Sequence, residues 1–166
     1  GLQKIKRWTF GSCKSLKSIT LPPTVTEIGN GAFECCSNLK EVTFNYGLQK
    51  IGFNAFNKCK SLESITLPST VTEIDIEVFY GCRNLREIIF NDGLQEIEIN
   101  AFHGCSSLER IKLPSTVTRI GENAFGNCSS LREVELNGVP QYVHSGTFRN
   151  CDALERFLFP TISYRL

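Results

Sequence analysis

Cysteine is the residue type in this chain most able to do chemistry, and seven of its eight copies recur every 23 residues without a slip. The column contains Cys13, Cys36, Cys59, Cys82, Cys105, Cys128 and Cys151. A structural zinc site needs closely spaced cysteines with further Cys or His nearby. The spacing here is uniform, and the only histidines, His103 and His144, occupy different positions of the period. The pattern therefore predicts no metal site.

Disulfides between successive cysteines are conceivable only if the repeats stack about 5 Å apart. Stacked side chains would point the same way into a core rather than toward each other, which disfavours the bond. We predict instead that the column consists of buried free thiols that behave as small apolar residues. Cys35 lies outside the column and is predicted to be the one accessible thiol. Its position is held elsewhere by Lys58, Gly81, Gly104 or Asn127.

The same regularity disfavours catalysis. The sequence has no Gly-rich phosphate loop, no H-E-x-x-H, no G-x-S-x-G and no pair of unique Cys and His residues. Tyr80 and His103 share one column and Asp75 and Glu98 share another, and we interpret both pairs as exposed turn residues without partners. A catalytic site needs a singular constellation. We therefore expect a non-enzymatic protein without a cofactor.

Apolar residues keep the period as regularly as the cysteines do. The phenylalanine column is Phe10, Phe33, Phe56, Phe79, Phe102, Phe125 and Phe148, and the leucine column is Leu16, Leu39, Leu62, Leu85, Leu108, Leu131 and Leu154. Three further columns run from Ile5 to Val143, from Ile19 to Phe157 and from Leu21 to Phe159. One repeat cannot bury its own apolar side, so we predict seven stacked repeats that share one core.

Local spacing indicates the elements that hold these columns. In the segment 39–44, apolar and polar residues alternate, which predicts a short strand with one buried face. Proline or glycine ends the strand in several repeats, at Pro22, Gly47, Pro68 and Pro114. Within segments such as 32–39 the apolar spacing changes to three and four residues, which predicts a short helical or 3₁₀ turn.

A second period of 46 residues lies over the first. Repeats whose strand ends in Leu21, Leu67 or Leu113 continue with Pro and Thr-Val-Thr, whereas those that end in Phe44 or Phe90 continue with Asn-x-Gly-Leu-Gln. The segments 1–5 and 159–161 each match part of the turn of a repeat, and neither resembles the polar cap that covers the end of a repeat array. We expect residues 1–166 to form a single domain of seven rungs that is part of a longer array.

The pattern L-P-x-T-V-T-E-I-G-x-x-A-F-x-x-C-x-x-L-x-x-I-x-L resembles the BspA-like, or Treponema pallidum-type, class of 23-residue leucine-rich repeats. Segments 67–74 and 113–120 are close matches, and the glycine of the pattern is missing at Asp75 and Glu98. The resemblance implies a right-handed β-solenoid with a parallel concave sheet and short helical or 3₁₀ turns. It also implies protein binding or adhesion at a cell surface or in secreted form, although the sequence is compatible with a cytoplasmic location too.

The outward positions of the predicted sheet suggest where a partner would bind. Over three central repeats they form a mixed-charge surface with an aliphatic spot: Arg86, Glu87, Ile89, Glu109, Arg110, Lys112, Glu133 and Glu135. The charges alternate in sign, so the same pattern would also set the register of the stack. The rival site is an apolar turn column, Phe53, Ile76 and Ile99, which suits self-association or docking.

Composition narrows the class of partner. The 18 Lys and Arg residues nearly balance the 17 Asp and Glu residues, and no basic stripe survives, so we expect a protein ligand and no nucleic acid. No apolar run approaches the roughly 20 residues that cross a bilayer, so we expect no membrane insertion. The predicted function is a protein-binding module that can also self-associate through its ends or edge. The alternative is a passive spacer between domains of a larger protein.

Overall fold

The computed structural model describes residues 1–160 as a stack of seven rungs, each of which contributes two short strands. Along the chain these are β1 (Lys4–Ile5), β2 (Ser18–Thr20), β3 (Glu27–Ile28), β4 (Glu41–Thr43), β5 (Lys50–Ile51), β6 (Ser64–Thr66), β7 (Glu73–Ile74), β8 (Glu87–Ile89), β9 (Glu96–Ile97), β10 (Arg110–Leu113), β11 (Arg119–Ile120), β12 (Glu133–Leu136), β13 (Tyr142–Val143) and β14 (Arg156–Leu158). The end of the predicted domain, residues 161–166, lies outside the described residues.

Each strand pairs in parallel with a strand 23 residues away, so equivalent positions of successive repeats lie side by side. The even-numbered strands form the predicted sheet, here called the long-strand sheet, in three ladders: β2-β4, β6-β8 and β10-β12-β14. The odd-numbered strands form a second, short-strand sheet in two ladders. The sequence pattern predicts a turn where this second sheet lies, because a strand of two residues is too short to show an alternation of apolar and polar residues.

The phenylalanine column forms the centre of the predicted core. The side chains of Phe33, Phe56, Phe79, Phe102 and Phe125 are fully buried. Their ring centroids lie 5.1 to 5.6 Å apart with interplanar angles of 10° or less. The isoleucines of the short strands and the leucines that follow the cysteines are buried around them in the inner rungs. The predicted repeat stack with one continuous core is therefore confirmed.

The core prediction is wrong for three residues of the last rung. Val143, Phe157 and Phe159 are 42%, 36% and 66% exposed. No described rung follows them, so one side of each has nothing to pack against. In addition, Pro140 occupies the position at which rungs two to six place a buried Val or Leu, such as Val117. The last rung therefore lacks part of the apolar filling that the other rungs have.

The predicted helical or 3₁₀ turns do not form anywhere within residues 1–160. Each of the first six rungs places two residues of its turn at positive φ: Trp8, Ser12, Gly31, Cys35, Asn54, Lys58, Glu77, Gly81, Asn100, Gly104, Asn123 and Asn127. A left-handed backbone conformation interrupts a right-handed helix. These two columns are rich in Gly and Asn because those residues adopt positive φ at the least cost. This composition is a sequence signal for the turn that periodicity alone does not reveal.

Backbone hydrogen bonds show what the turns do instead of forming a helix. Alternate amides close tight turns within a rung, as in the bond from Ala32 N to Gly29 O of 3.2 Å. The amides between them reach the next rung, as in the bond from Phe33 N to Ala55 O of 2.8 Å. A helix would use all these donors within one segment. The turns therefore help to join the rungs as the two sheets do.

Replacing Phe79 by Ala should lower the free energy of unfolding by about 3 to 5 kcal/mol, because it opens a cavity in the middle of the stack. Chemical denaturation followed by circular dichroism measures this change. Phe10→Ala is the matched control, since Phe10 lies in the first rung and is only half-buried. A loss for Phe79→Ala no larger than that for Phe10→Ala would contradict the central role of the column.

Cys35 has a φ of 60°, so Cys35→Gly should raise the free energy of unfolding by about 0.5 to 1 kcal/mol. Glycine adopts the left-handed conformation at a lower energy than cysteine, which stabilises the folded chain. The larger entropy of glycine in the unfolded chain offsets part of this gain. Cys35→Ser, which keeps a side chain, should give no gain. Conversely, Gly104→Ala should destabilise by about 1 to 2 kcal/mol. Urea denaturation that ranks Cys35→Gly at or below Cys35→Ser would refute this account of the turns.

Candidate functional site

The predicted partner-binding residues lie on or beside three neighbouring strands of the long-strand sheet, β8, β10 and β12. Arg110 stands opposite Glu133, and Lys112 stands opposite Glu135. Burial alternates along β10, so Arg110 and Lys112 face outward while Ile111 between them faces the core. The strand geometry thus places these charged side chains on one surface.

An open depression of about 540 Å³ brings most of the predicted set together. Seven of the eight predicted residues line it: Arg86, Glu87, Glu109, Arg110, Lys112, Glu133 and Glu135. Ile88 and Ile111 of the core also contribute to the lining. Ile89 is the exception, since it lies 51% exposed at the end of β8 beside a neighbouring hollow. We call this surface the mixed-charge depression.

Ion pairs on this sheet join adjacent rungs, as the alternation of charge predicts. Lys112 Nζ lies 2.8 Å from Glu135 Oε1, and Arg156 pairs with Glu133. Such exposed pairs contribute only about 0 to 1 kcal/mol each. Four charged residues of the predicted set have no ion-pair partner within 4.0 Å among residues 1–160: Arg86, Glu87, Glu109 and Arg110. The predicted ladder is therefore incomplete at the site, and these four charges are open to a ligand.

The rival apolar column remains at the surface. Phe53 and Ile99 are each 40% exposed, and Ile76 between them is half-buried. Their backbones are one rung apart, because Asn54 N donates to Ile76 O and Glu77 N donates to Ile99 O. The three side chains thus form a short apolar strip along the turn edge, separate from the mixed-charge depression.

Six column cysteines donate their thiol hydrogen to a carbonyl of the preceding rung. Cys59 Sγ lies 3.1 Å from Phe33 O, and the same bond recurs from Cys36 to Cys151 at 3.0 to 3.4 Å. Burial raises the pKa of Cys36 to about 11 and raises the pKa of Cys82 further. All eight cysteines are free, so the prediction of buried free thiols holds for these six.

The prediction of a single accessible thiol is wrong. Cys13, the first member of the column, is exposed, whereas Cys35 is only half-buried. Cys13 lies in the first rung, where no preceding phenylalanine carbonyl of this chain receives its thiol. The column therefore contains two chemical kinds of cysteine, although its residue type never changes.

The interpretation of two turn columns as exposed and without partners is also wrong. The rings of Tyr80 and His103 stack with centroids 5.0 Å apart, and His103 Nε2 lies 2.8 Å from Asn127 Nδ2. Burial lowers the pKa of His103. Glu98 is 9% exposed and pairs with Arg119 of the next rung. These contacts join adjacent rungs.

Two negative findings concern residues 1–160 alone. No cluster of three or more His, Cys, Asp or Glu side chains in this part of the chain is arranged to hold a metal ion. The same residues contain no helix with the length and apolarity needed to cross a membrane.

Sequence reasoning missed a second, larger depression of about 790 Å³ on the long-strand sheet. It extends over rungs two to four, where Phe44, Leu67 and Phe90 occupy one column. The carboxylates of Glu41 and Asp92 lie in its lining. We call it the anionic depression. The sequence signal for this depression is the alternation of Phe and Leu with a period of 46 residues. The alternation is visible in the sequence, but the core pattern alone does not predict that it leaves a depression.

Comparisons with known proteins agree with this architecture. The model of the BspA-type leucine-rich repeat region matches in six copies, over residues 1–90 and 49–165. The crystal structure of a Treponema pallidum leucine-rich repeat protein superimposes with a TM-score of 0.87 at 30% sequence identity, over 92% of this chain and 72% of that chain. No curated protein sequence matches.

Two more distant solved structures share the fold alone. A leucine-rich repeat protein from Bacteroides ovatus superimposes with a TM-score of 0.55 at 22% identity and covers 97% of this chain. A leucine-rich repeat protein from Eubacterium ventriosum gives a TM-score of 0.57 at 20% identity and covers 96% of it. The chain spans 60% and 64% of the lengths of these two structures.

A thiol reagent at neutral pH should label Cys13 fastest and Cys35 more slowly, while the six buried column thiols react only after denaturation. Mass spectrometry of the labelled peptides identifies each site. Cys13→Ser should remove the fast phase and leave the rest unchanged. Labelling of Cys82 in native protein at the rate of Cys13, or disulfides among the column residues, would contradict the burial described here.

Proposed function

The chain belongs to the BspA-type leucine-rich repeat family, and we propose that it is a non-catalytic module that binds a protein partner, with an adhesive role at a cell surface or in secreted form. Leucine-rich repeat proteins of this kind generally mediate protein interactions or are surface-associated, and they are generally non-catalytic. The cell-surface location is part of the proposal and rests on the family alone.

The observation that carries the site assignment is the set of unpaired charges in the mixed-charge depression. Arg86 and Arg110 supply cations, Glu87 and Glu109 supply anions, and Ile89 adds an exposed aliphatic side chain. A protein surface offers groups complementary to all three kinds. A nucleic acid would meet as much repulsion as attraction there, because the signs alternate.

The site therefore consists of the eight residues that the sequence analysis selected. Lys112, Glu133 and Glu135 belong to it as the paired part of the surface, which holds the register of β10 and β12. The apolar strip of Phe53, Ile76 and Ile99 is the alternative site. Its exposure and its lack of charge favour contact with a second copy of this chain.

Two double variants separate the sites. Ile89→Glu with Lys112→Glu places two new negative charges at the mixed-charge depression and should weaken partner capture at least about tenfold. Phe53→Ser with Ile76→Ser should leave capture unchanged and reduce any dimer seen by light scattering. Lys50→Glu is the matched charge control, since Lys50 is exposed on the short-strand sheet. Circular dichroism checks that each variant is folded.

Capture is measured by quantitative cross-linking and pull-down from native surface or secreted fractions. The proposal expects one saturable partner whose recovery falls for the first variant and not for Lys50→Glu. Loss of capture with the second variant alone would move the binding site to the apolar strip. No saturable partner in any fraction would favour the passive spacer.

A further inference from the structure

We propose that the anionic depression is a second binding site, which takes a lysine or arginine side chain of a partner protein. This inference rests on the proposed function, because it names the chemistry that a protein partner would present. The depression lies on the same long-strand sheet as the mixed-charge depression, on rungs two to four. A partner that lies along the sheet can therefore reach both.

The hollow arises from a difference in size between neighbouring rungs. Leu67 is 3% exposed and lies between Phe44 and Phe90 of the flanking rungs. The ring of Phe44 packs edge-on against Phe56, and the ring of Phe90 packs edge-on against Phe102, with centroid distances of 5.9 and 5.8 Å. The smaller leucine leaves room between the two phenylalanines, and this room is the apolar part of the depression.

The two flanking turns are held in place by the same asparagine bridge. Asn45 Oδ1 accepts the amide of Gly47 at 2.7 Å, and its Nδ2 donates to Pro22 O at 2.9 Å. Asn91 repeats both bonds, with Gly93 N at 2.6 Å and the carbonyl of the proline that follows Leu67 at 2.8 Å. The walls are therefore fixed before a ligand arrives, which lowers the entropy cost of binding.

Charge points to a cationic occupant. The lining contains Glu41 and Asp92 but no Lys, Arg or His. Neither carboxylate has an ion-pair partner within 4.0 Å among residues 1–160, and the nearby cation Lys40 is paired with Glu63 at 3.8 Å. Glu87, which lies opposite Ser64 in β6, adds a third negative charge at the rim. The depression is thus anionic in a chain whose net charge is only +1.

Two cations stand beyond this rim and define its limit. Arg86 and Arg110 line the mixed-charge depression and do not line the anionic depression. Arg110 belongs to the rung beyond Glu87, because β10 follows β8 in the stack, and Arg86 directly precedes Glu87 on the same rung. A further cation, Lys112, lines a neighbouring hollow together with Asp92, but it is paired with Glu135 at 2.8 Å. The charge boundary along the sheet therefore lies on rung four, where Glu87 lines the mixed-charge depression and stands opposite Ser64 of the anionic depression.

The remaining lining fits the rest of a lysine or arginine side chain. The side chain of Tyr46 is almost fully exposed, and its ring can bind a cation through the aromatic face. The hydroxyls of Ser64 and Thr66 lie in the lining and can accept hydrogen bonds from an ammonium or guanidinium group. The methylene stem would pack on the half-buried rings of Phe44 and Phe90 while the charged head stays near the carboxylates.

The test is a titration of the ¹⁵N-labelled chain with N-acetyl-lysinamide at low salt, followed by amide chemical shifts. N-acetylnorleucinamide, which keeps most of the stem but carries no charge, is the matched neutral probe. Saturable shifts should centre on Ser64, Thr66 and Asp92, with a dissociation constant of about 1 to 10 mM, the range expected for a ligand of this size. The neutral probe should bind at least about fivefold more weakly, because it lacks the interaction with the carboxylates.

Paired variants locate the interaction. Glu41→Gln with Asp92→Asn should weaken binding at least about fivefold, and Tyr46→Ala should weaken it about threefold. Glu155→Gln with Asp152→Asn is the control, since it removes the same charge from exposed positions outside both depressions. All of these side chains are exposed, so the fold should not change, and circular dichroism verifies this.

Three results would overturn the proposal: no saturable shift up to about 20 mM probe, equal binding of the neutral probe, or an equal loss in the control variant. The titration needs no natural partner. Its failure would therefore leave the protein-binding function intact, and failure of partner capture would leave the titration interpretable.

Discussion

In-register stacking of equivalent residues, about 5 Å apart, is the constraint on which the rest of this structure depends. Every side chain of the inner rungs has a residue at the same position of the repeat on the rung above and on the rung below. An apolar position therefore builds a column such as the stacked rings of Phe33 to Phe125. A charged position is stabilised when its neighbours differ in sign, as Lys112 and Glu135 do. A cysteine position becomes a row of thiols that donate to the carbonyls of the preceding rung.

Stacking also explains why binding surfaces arise where the repeats differ. Identical rungs would present a uniform face with no distinct site. The anionic depression contains Leu67 between two phenylalanines of the flanking rungs, and the mixed-charge depression contains four charges that are not matched into ion pairs. The two surfaces share one sheet, and Glu87 of the mixed-charge depression lies opposite Ser64 of the anionic depression. In the function proposed above, departures from the repeat carry the recognition chemistry, while the repeat itself carries stability.

Hydrogen bonding makes the turns part of the same constraint. Positive φ at positions such as Asn100 and Gly104 turns alternate amides toward the next rung, so the backbone joins rungs outside the sheets as well. Glu98, which stands where the repeat pattern has glycine, is likewise used to join rungs through Arg119. Glu98 thus departs from the sequence pattern and makes a structural contact between two rungs.

The sequence by itself determined the period, the core columns of the inner rungs, the long-strand sheet and the outward residues of β8, β10 and β12, because burial repeats at fixed spacing. It did not determine the conformation of the turns, since apolar spacing of three and four residues is shared by a helix and by these left-handed turns. Nor did it show the short-strand sheet, because two residues cannot display an alternation. Only the tertiary structure decided that Cys13 is exposed and that Glu41 and Asp92, 51 positions apart, line one depression. These properties depend on what lies on the neighbouring rungs, and a column in the sequence does not specify which of its members has a neighbour on each side.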